Sequence, residues 1–135
     1  MPQYDQTKTL VIDPNPEILW GTYYGGSLDD LITDVAIDGF GNIYASGSTR
    51  SIGPATSIAT SGSYQATIGG GGSQDAFIVK FNSSGVRQWA TYFGGVGNDF
   101  ASGITVSSTG TVYICGTTSG GIPATSGVFQ STHQG

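Results

Sequence analysis

Charged side chains are scarce in this sequence, at 10% of 135 residues, and only four of them are Lys or Arg. A net charge of −5 with so few basic groups leaves no patch able to neutralise a phosphate backbone or grip an anionic lipid surface, so neither nucleic acid nor membrane is an expected partner. A single cysteine, Cys115, excludes an internal disulfide, and its place in an apolar strand pattern reads as a small buried core residue rather than a nucleophile. A single histidine, His133, has no carboxylate or cysteine beside it and reads as a solvated loop residue. Any metal site or histidine-based triad would have to be built around it alone. No apolar run approaches membrane-spanning length, and Met1 to Leu10 carry neither the basic start nor the apolar stretch of a signal peptide. An export signal, if the protein uses one, is expected to lie outside this chain.

What is present points to strands. Glycine contributes 23 residues and Ser and Thr are abundant, a balance that suits short strands joined by tight turns better than helices. Seven Tyr, six Phe and two Trp in a 37% hydrophobic chain exclude disorder and can fill a modest core. The expected class is all-β.

A repeat organises those strands. Trp20-Gly21-Thr22-Tyr23-Tyr24-Gly25-Gly26-Ser27-Leu28-Asp29-Asp30 returns 69 residues later as Trp89-Ala90-Thr91-Tyr92-Phe93-Gly94-Gly95-Val96-Gly97-Asn98-Asp99. The same offset matches Gly41 to Gly110, Tyr44 to Tyr113, Gly47 to Gly116 and Thr49 to Thr118, and exchanges Val35 for Ile104. Further on, Ala59-Thr60-Ser61-Gly62-Ser63-Tyr64-Gln65 recurs as Ala124-Thr125-Ser126-Gly127-Val128-Phe129-Gln130 at an offset of 65, so the second copy has lost four residues in a loop.

Within one period the strands are expected near residues 32–38, 42–48, 75–81 and 86–93, with copies of the first two near 101–106 and 111–117. Thr33, Val35 and Ile37 share one face, with Asp34 and Ala36 on the other. Thr7 to Ile12 and Ile18 to Tyr24 read as two more strands, separated by the turn Asp13-Pro14-Asn15-Pro16. A four-stranded meander in tandem is the unit of a β-propeller, whose sheets stack around an axis with both faces buried; small Ala36, Ala45, Ala76 and Gly103 suit such stacking. Trp20 and Trp89, recurring at one strand position, read as blade core rather than a sugar-stacking platform, so truncating Trp89 is expected to cost about 3 to 5 kcal/mol.

The combination Trp-x-Thr-Tyr-(Tyr/Phe)-Gly-Gly-x-x-x-Asp, Gly-(Asn/Thr)-(Ile/Val)-Tyr-x-x-Gly-x-Thr and Gly-Gly-x-x-Asp-Ala-Phe-Ile-Val-Lys-Phe-Asn-x-x-Gly resembles the SBBP β-propeller repeats of large exported bacterial proteins. The resemblance runs from about residue 8 nearly to the end. It implies a propeller on an extracellular or cell-surface protein, and it carries no shared catalytic residues.

Candidate chemistry is thin. Gly94 to Asp99 fits the Gly-Gly-x-Gly-x-Asp pattern of calcium-binding nonapeptide repeats, but that coil needs the motif every nine residues. Asp30 and Asp99 are therefore read as caps on local backbone N–H groups. Asp29, Asp30, Asp34 and Asp38 cluster in sequence, yet Asp29 and Asp38 are turn residues and Asp34 becomes Gly103 in the other copy. Gly69 to Gly72 lacks the Lys-Ser/Thr and the helix of a phosphate loop. No catalytic, cofactor or metal residues are assigned, and no enzyme or cofactor is expected. The chain reads as a non-catalytic module with a structural or protein-interaction role, the alternatives being a glycan-binding module and, more remotely, a propeller hydrolase.

The whole of 1–135 is taken as repeat region: 8–30 the last two strands of a blade and a connector, 31–93 a complete blade, 94–135 the first two strands of the next blade and a loop. Lys8 to Asp13 aligns on Phe77 to Asn82, so the ends complement one another. The expected partners are a second copy of the chain, closing a propeller ring, or the other blades of a longer chain.

Overall fold

The computed structural model describes residues 17–52, 58–70 and 74–134, and within them the chain is all-β with six strands. β1 (Asp30–Ile37), β2 (Ile43–Thr49), β3 (Asp75–Phe81) and β4 (Arg87–Phe93) form one antiparallel meander in the order β1-β2-β3-β4. β5 (Asp99–Val106) and β6 (Val112–Thr118) form a separate antiparallel pair.

Three hairpin turns share one construction. In each, an N–H three residues on bonds back to the opening carbonyl: Gly41 to Asp38 at 3.0 Å, Gly85 to Asn82 at 2.9 Å and Gly110 to Ser107 at 2.9 Å. The donor glycine has φ of 77°, 79° and 83° respectively, the left-handed conformation that closes such a hairpin and that other residues adopt only with strain. The opening Asp38, Asn82 or Ser107 side chain then accepts from the N–H groups inside its own turn.

A bulge sits at one place in both copies. The β1–β2 register shifts between Ile32 and Asp34, and the β5–β6 register shifts between Ala101 and Gly103. Opposite it lie Gly47 and Gly116, where a β-carbon would run into the carbonyls of Leu31 and Phe100. The recurring glycine is thus the residue that lets the two backbones approach.

The core lies on one face of the four-stranded sheet, where Ala45, Phe77, Val79, Phe81, Ala90 and Tyr92 pack with Ile58 and Ala59 of the following loop. That loop is bonded to β4: Thr60 N–H donates to the Ala90 carbonyl at 3.0 Å, and Tyr92 N–H to the Gln65 carbonyl at 3.1 Å. The same face is roofed by Trp20 and Tyr24, whose rings lie 5.9 Å from Phe81 and 5.4 Å from Phe77. The Tyr24 hydroxyl donates to the Ile58 carbonyl, and burial pushes its pKa up to about 12.

β5 crosses the other face of the sheet, against β1, β2 and β3. Thr33 Oγ1 donates to the Ala101 carbonyl at 2.8 Å, and Ile104 N–H donates to Asp34 Oδ2 at 2.9 Å. Face-to-face stacking of successive meanders is the architecture of propeller blades.

Five expectations need correction. Ile18 to Tyr24 is not a strand: residues 17–26 join no ladder, and of this stretch Trp20 and Tyr24 lie against the neighbouring sheet. A ladder needs a partner strand, and the sequence copy of β3, Thr7 to Ile12, lies outside the described residues. Burial of both faces does not hold for β1, where Val35 and Ile37 are exposed; in addition, the bulge breaks the alternation assumed for Thr33, Val35 and Ile37. Cys115 is exposed, because nothing among the described residues covers the outer face of β6, although Ser46 at the same repeat position is buried. Trp89 is half-buried, resting edge-on against Tyr44 with ring centroids 6.2 Å apart.

Candidate functional site

Three carboxylates stand at one end of the sheets, where β1, β3 and β5 begin with Asp30, Asp75 and Asp99. Each of these carboxylates is occupied by the chain itself. Asp30 Oδ2 accepts from Gly26 N–H at 2.7 Å and from the Ser51 hydroxyl at 3.0 Å, while its Oδ1 accepts from the Thr49 hydroxyl. Asp99 repeats the first contact, accepting from Gly95 N–H at 2.7 Å. The two Gly-Gly turns are therefore closed by the carboxylate that follows them, which is the local capping expected of aspartate there.

Asp75 is built differently. Fully buried at the start of β3, it accepts through Oδ2 from Gly69 N–H at 2.7 Å and from Gln65 Nε2 at 3.1 Å. Gly94 is a glycine because a β-carbon there would enter the space of this carboxylate. The Oδ1 atoms of Asp75 and Asp99 are buried without a partner. Burial raises the Asp75 pKa above the usual carboxylate value, and the Asp99 charge raises it further.

The other acids are spread rather than convergent. Asp29 is exposed and lies 3.9 Å from Arg50. Asp34 joins the two sheets through Ile104 N–H, a role peculiar to one copy, and a sequence reading that looked for symmetry missed it. Asp38 holds its hairpin turn, and the Asn42 side-chain amide that donates to it at 2.7 Å is the main reason its pKa lies below the ordinary value. The four carboxylates of this cluster thus face four different tasks. Among the described residues no group of three or more His, Cys, Asp or Glu is placed to hold a metal ion. His133 is an exposed loop residue near Gly120. Gly69 turns its N–H to Asp75, while Gly71 and Gly72 lie outside the described residues.

One hollow has a shape that a ligand could use. Thr60 to Tyr64, Ile78, Gln88 and Trp89 line a space of about 430 Å³ on the outer side of β4. The Trp89 indole, expected in the core, forms part of its wall.

The antiparallel meander, its stacking on a copy of its first two strands, and the shared bulge and turn glycines define a β-propeller repeat protein. A family model described as the SBBP β-propeller repeat matches residues 19–54 and 88–123, together just over half of the chain. The chain belongs to this family. No curated protein matches it.

Proposed function

We propose that this chain is a non-catalytic β-propeller module of an exported or cell-surface bacterial protein, with a structural or protein-binding role. The observation that carries the reading is the use of its carboxylates. Asp30, Asp34, Asp38, Asp75 and Asp99 all accept hydrogen bonds from the chain's own backbone N–H groups, so they serve turns and sheet contacts rather than a cleft. A pair of carboxylates facing each other across a bound sugar, as glycoside hydrolysis requires, is not how these groups are arranged. The membership of a structural repeat family agrees with this reading.

A second reading has one observation in its favour. Tyr64 is exposed and Trp89 half-buried beside the hollow on β4, together with the exposed Ser61, a combination that suits a sugar ring. A glycan array and a panel of chromogenic glycosides test both. The first reading expects neither binding nor turnover. Glycan binding that disappears in Trp89→Ala would replace it with the second, and turnover would overturn both. Cell fractionation of the producing bacterium tests the compartment, and a cytosolic location would refute the export half of the proposal.

A further inference from the structure

The two copies of the repeat occupy unlike surroundings, and the differences fall at matched positions. Tyr92 is 1% exposed, while Tyr23, at the same place in the other copy, is 103% exposed. Tyr44 is 1% exposed and its copy Tyr113 58%; Ile104 is 8% exposed and its copy Val35 57%. Side chains of the same repeat position are made for the same surroundings. The exposed members mark what each lacks among the described residues: Tyr23 lacks a β5–β6-like pair with its following loop, Val35 lacks a preceding sheet, and Tyr113 lacks a following one.

The chain carries both halves of the missing contact. In the complete sheet the Tyr92 hydroxyl donates to the Ser51 carbonyl at 2.8 Å, Gln65 N–H donates to Thr91 Oγ1 at 2.9 Å, and Thr60 N–H donates to the Ala90 carbonyl. The copies of these acceptors and donors are Tyr23, Thr22 and Gly21 on one side, and Gly120, Gln130 and Thr125 on the other. All but Gly120 are exposed. The two segments already hold the required local form. Thr22 Oγ1 donates to the Tyr23 carbonyl at 3.0 Å as Thr91 Oγ1 does to that of Tyr92 at 2.9 Å. Likewise Gly120 N–H donates to Thr118 Oγ1 at 2.8 Å as Ser51 N–H does to Thr49 Oγ1 at 2.9 Å.

We infer that the missing surface is supplied by a second copy of this chain, joined head to tail, with Gly21 to Tyr24 of one copy docking on the β5–β6 pair and the 124–130 loop of the next. In the joint, the Tyr23 hydroxyl donates to the Gly120 carbonyl, Gln130 N–H to Thr22 Oγ1 and Thr125 N–H to the Gly21 carbonyl. The joined segments cover Val35 of the copy that gave Gly21 to Tyr24, and the sheet of that copy covers Tyr113 of the other. Such a contact joins unlike surfaces, so it closes into a ring if the rotation allows. Each copy brings two blades' worth of repeat; because propellers have about four to eight blades, two copies would make four blades, three would make six and four would make eight. This inference deepens the module reading by naming the protein that the module binds.

Multi-angle light scattering and native mass spectrometry of the whole chain test it, alongside Tyr23→Ala and, on the opposite surface, Tyr113→Asp. The wild type should have the mass of a closed dimer, trimer or tetramer. Tyr23→Ala removes a fully exposed side chain from the single chain, so its β-sheet circular dichroism should persist while half-dissociation moves to at least about 30-fold higher concentration, as for a buried aromatic anchor. Tyr113→Asp should act the same way. A folded wild-type monomer, an open-ended polymer, or an assembly indifferent to both substitutions would overturn the inference. None of these would touch the non-catalytic reading, which turnover or glycan binding would overturn instead.

Discussion

Tyr92→Phe removes one oxygen from the centre of the complete sheet, and the structure says what that oxygen does. The ring is enclosed by a cluster that includes Ile58, Phe77 and Ala90, and the hydroxyl donates to the carbonyl of Ser51, itself a buried residue. Phenylalanine keeps the apolar contacts and leaves that carbonyl without its donor. An orphaned buried acceptor costs about 1 to 3 kcal/mol, and the removed hydroxyl no longer needs desolvation, so a loss of about 1 to 2 kcal/mol is expected. Tyr92→Ala adds a cavity the size of a ring and should cost about 3 to 5 kcal/mol in all. At this chain length each kcal/mol lowers Tm by roughly 3 to 5 °C. Urea unfolding followed by tryptophan fluorescence measures both variants, at one protomer concentration so that any assembly affects all samples alike. A Tyr92→Phe protein within about 0.3 kcal/mol of wild type would refute the reasoning, because the Ser51 carbonyl would then have found another donor or never have needed one.

Trp89→Ala should cost about 1 to 2 kcal/mol in the single chain, less than the 3 to 5 expected of a core aromatic, because the indole is only half-buried; urea titration checks this, and a larger loss at low protomer concentration would show that the side chain is enclosed. Asp75→Asn should stabilise by about 1 kcal/mol at pH 7, since it removes a charge that burial disfavours and that Asp99 repels. The sign follows from the raised pKa: ionisation is harder in the folded state, so stability falls as pH rises from the ordinary carboxylate value through the folded one, and the advantage of Asn should vanish near pH 3. A Tm difference that stays constant between pH 3 and pH 7 would contradict this. Tyr24, raised from 10.0 to about 12 by burial, should make the protein lose stability as pH climbs through that interval, and Tyr24→Phe should blunt the loss in melting curves taken from pH 9 to 12. Adding EDTA should leave the melting curve in place, because Asp30 and Asp99 close their turns with backbone N–H groups; a fall in Tm reversed by calcium would overturn this.

The class of fold, the repeat and the turns could be read from residue order alone, because each rests on local rules. A glycine at positive φ three residues after Asp38, Asn82 or Ser107 closes a hairpin wherever it stands, and alternating apolar residues in β3 mark a strand whichever sheet it joins. The capping roles of Asp30 and Asp99 were legible for the same reason, since the N–H groups they cap lie four residues away.

Burial was another matter, because it is decided by what lies opposite. Trp20 and Trp89 are one residue type at one repeat position, yet the first packs on Phe81 and the second lines an open hollow. Cys115 and Ser46, and Tyr23 and Tyr92, part in the same way: the repeat positions match, but only Ser46 has a neighbouring sheet over it and only Tyr92 has the rest of its own sheet and loop. The role of Asp34 also needed three dimensions, since its partner Ile104 is 70 residues away. A sequence states what each face is made to meet; only the packed chain decides which faces have met it, because burial is a property of pairs of surfaces and the residues of one strand describe a single member of each pair.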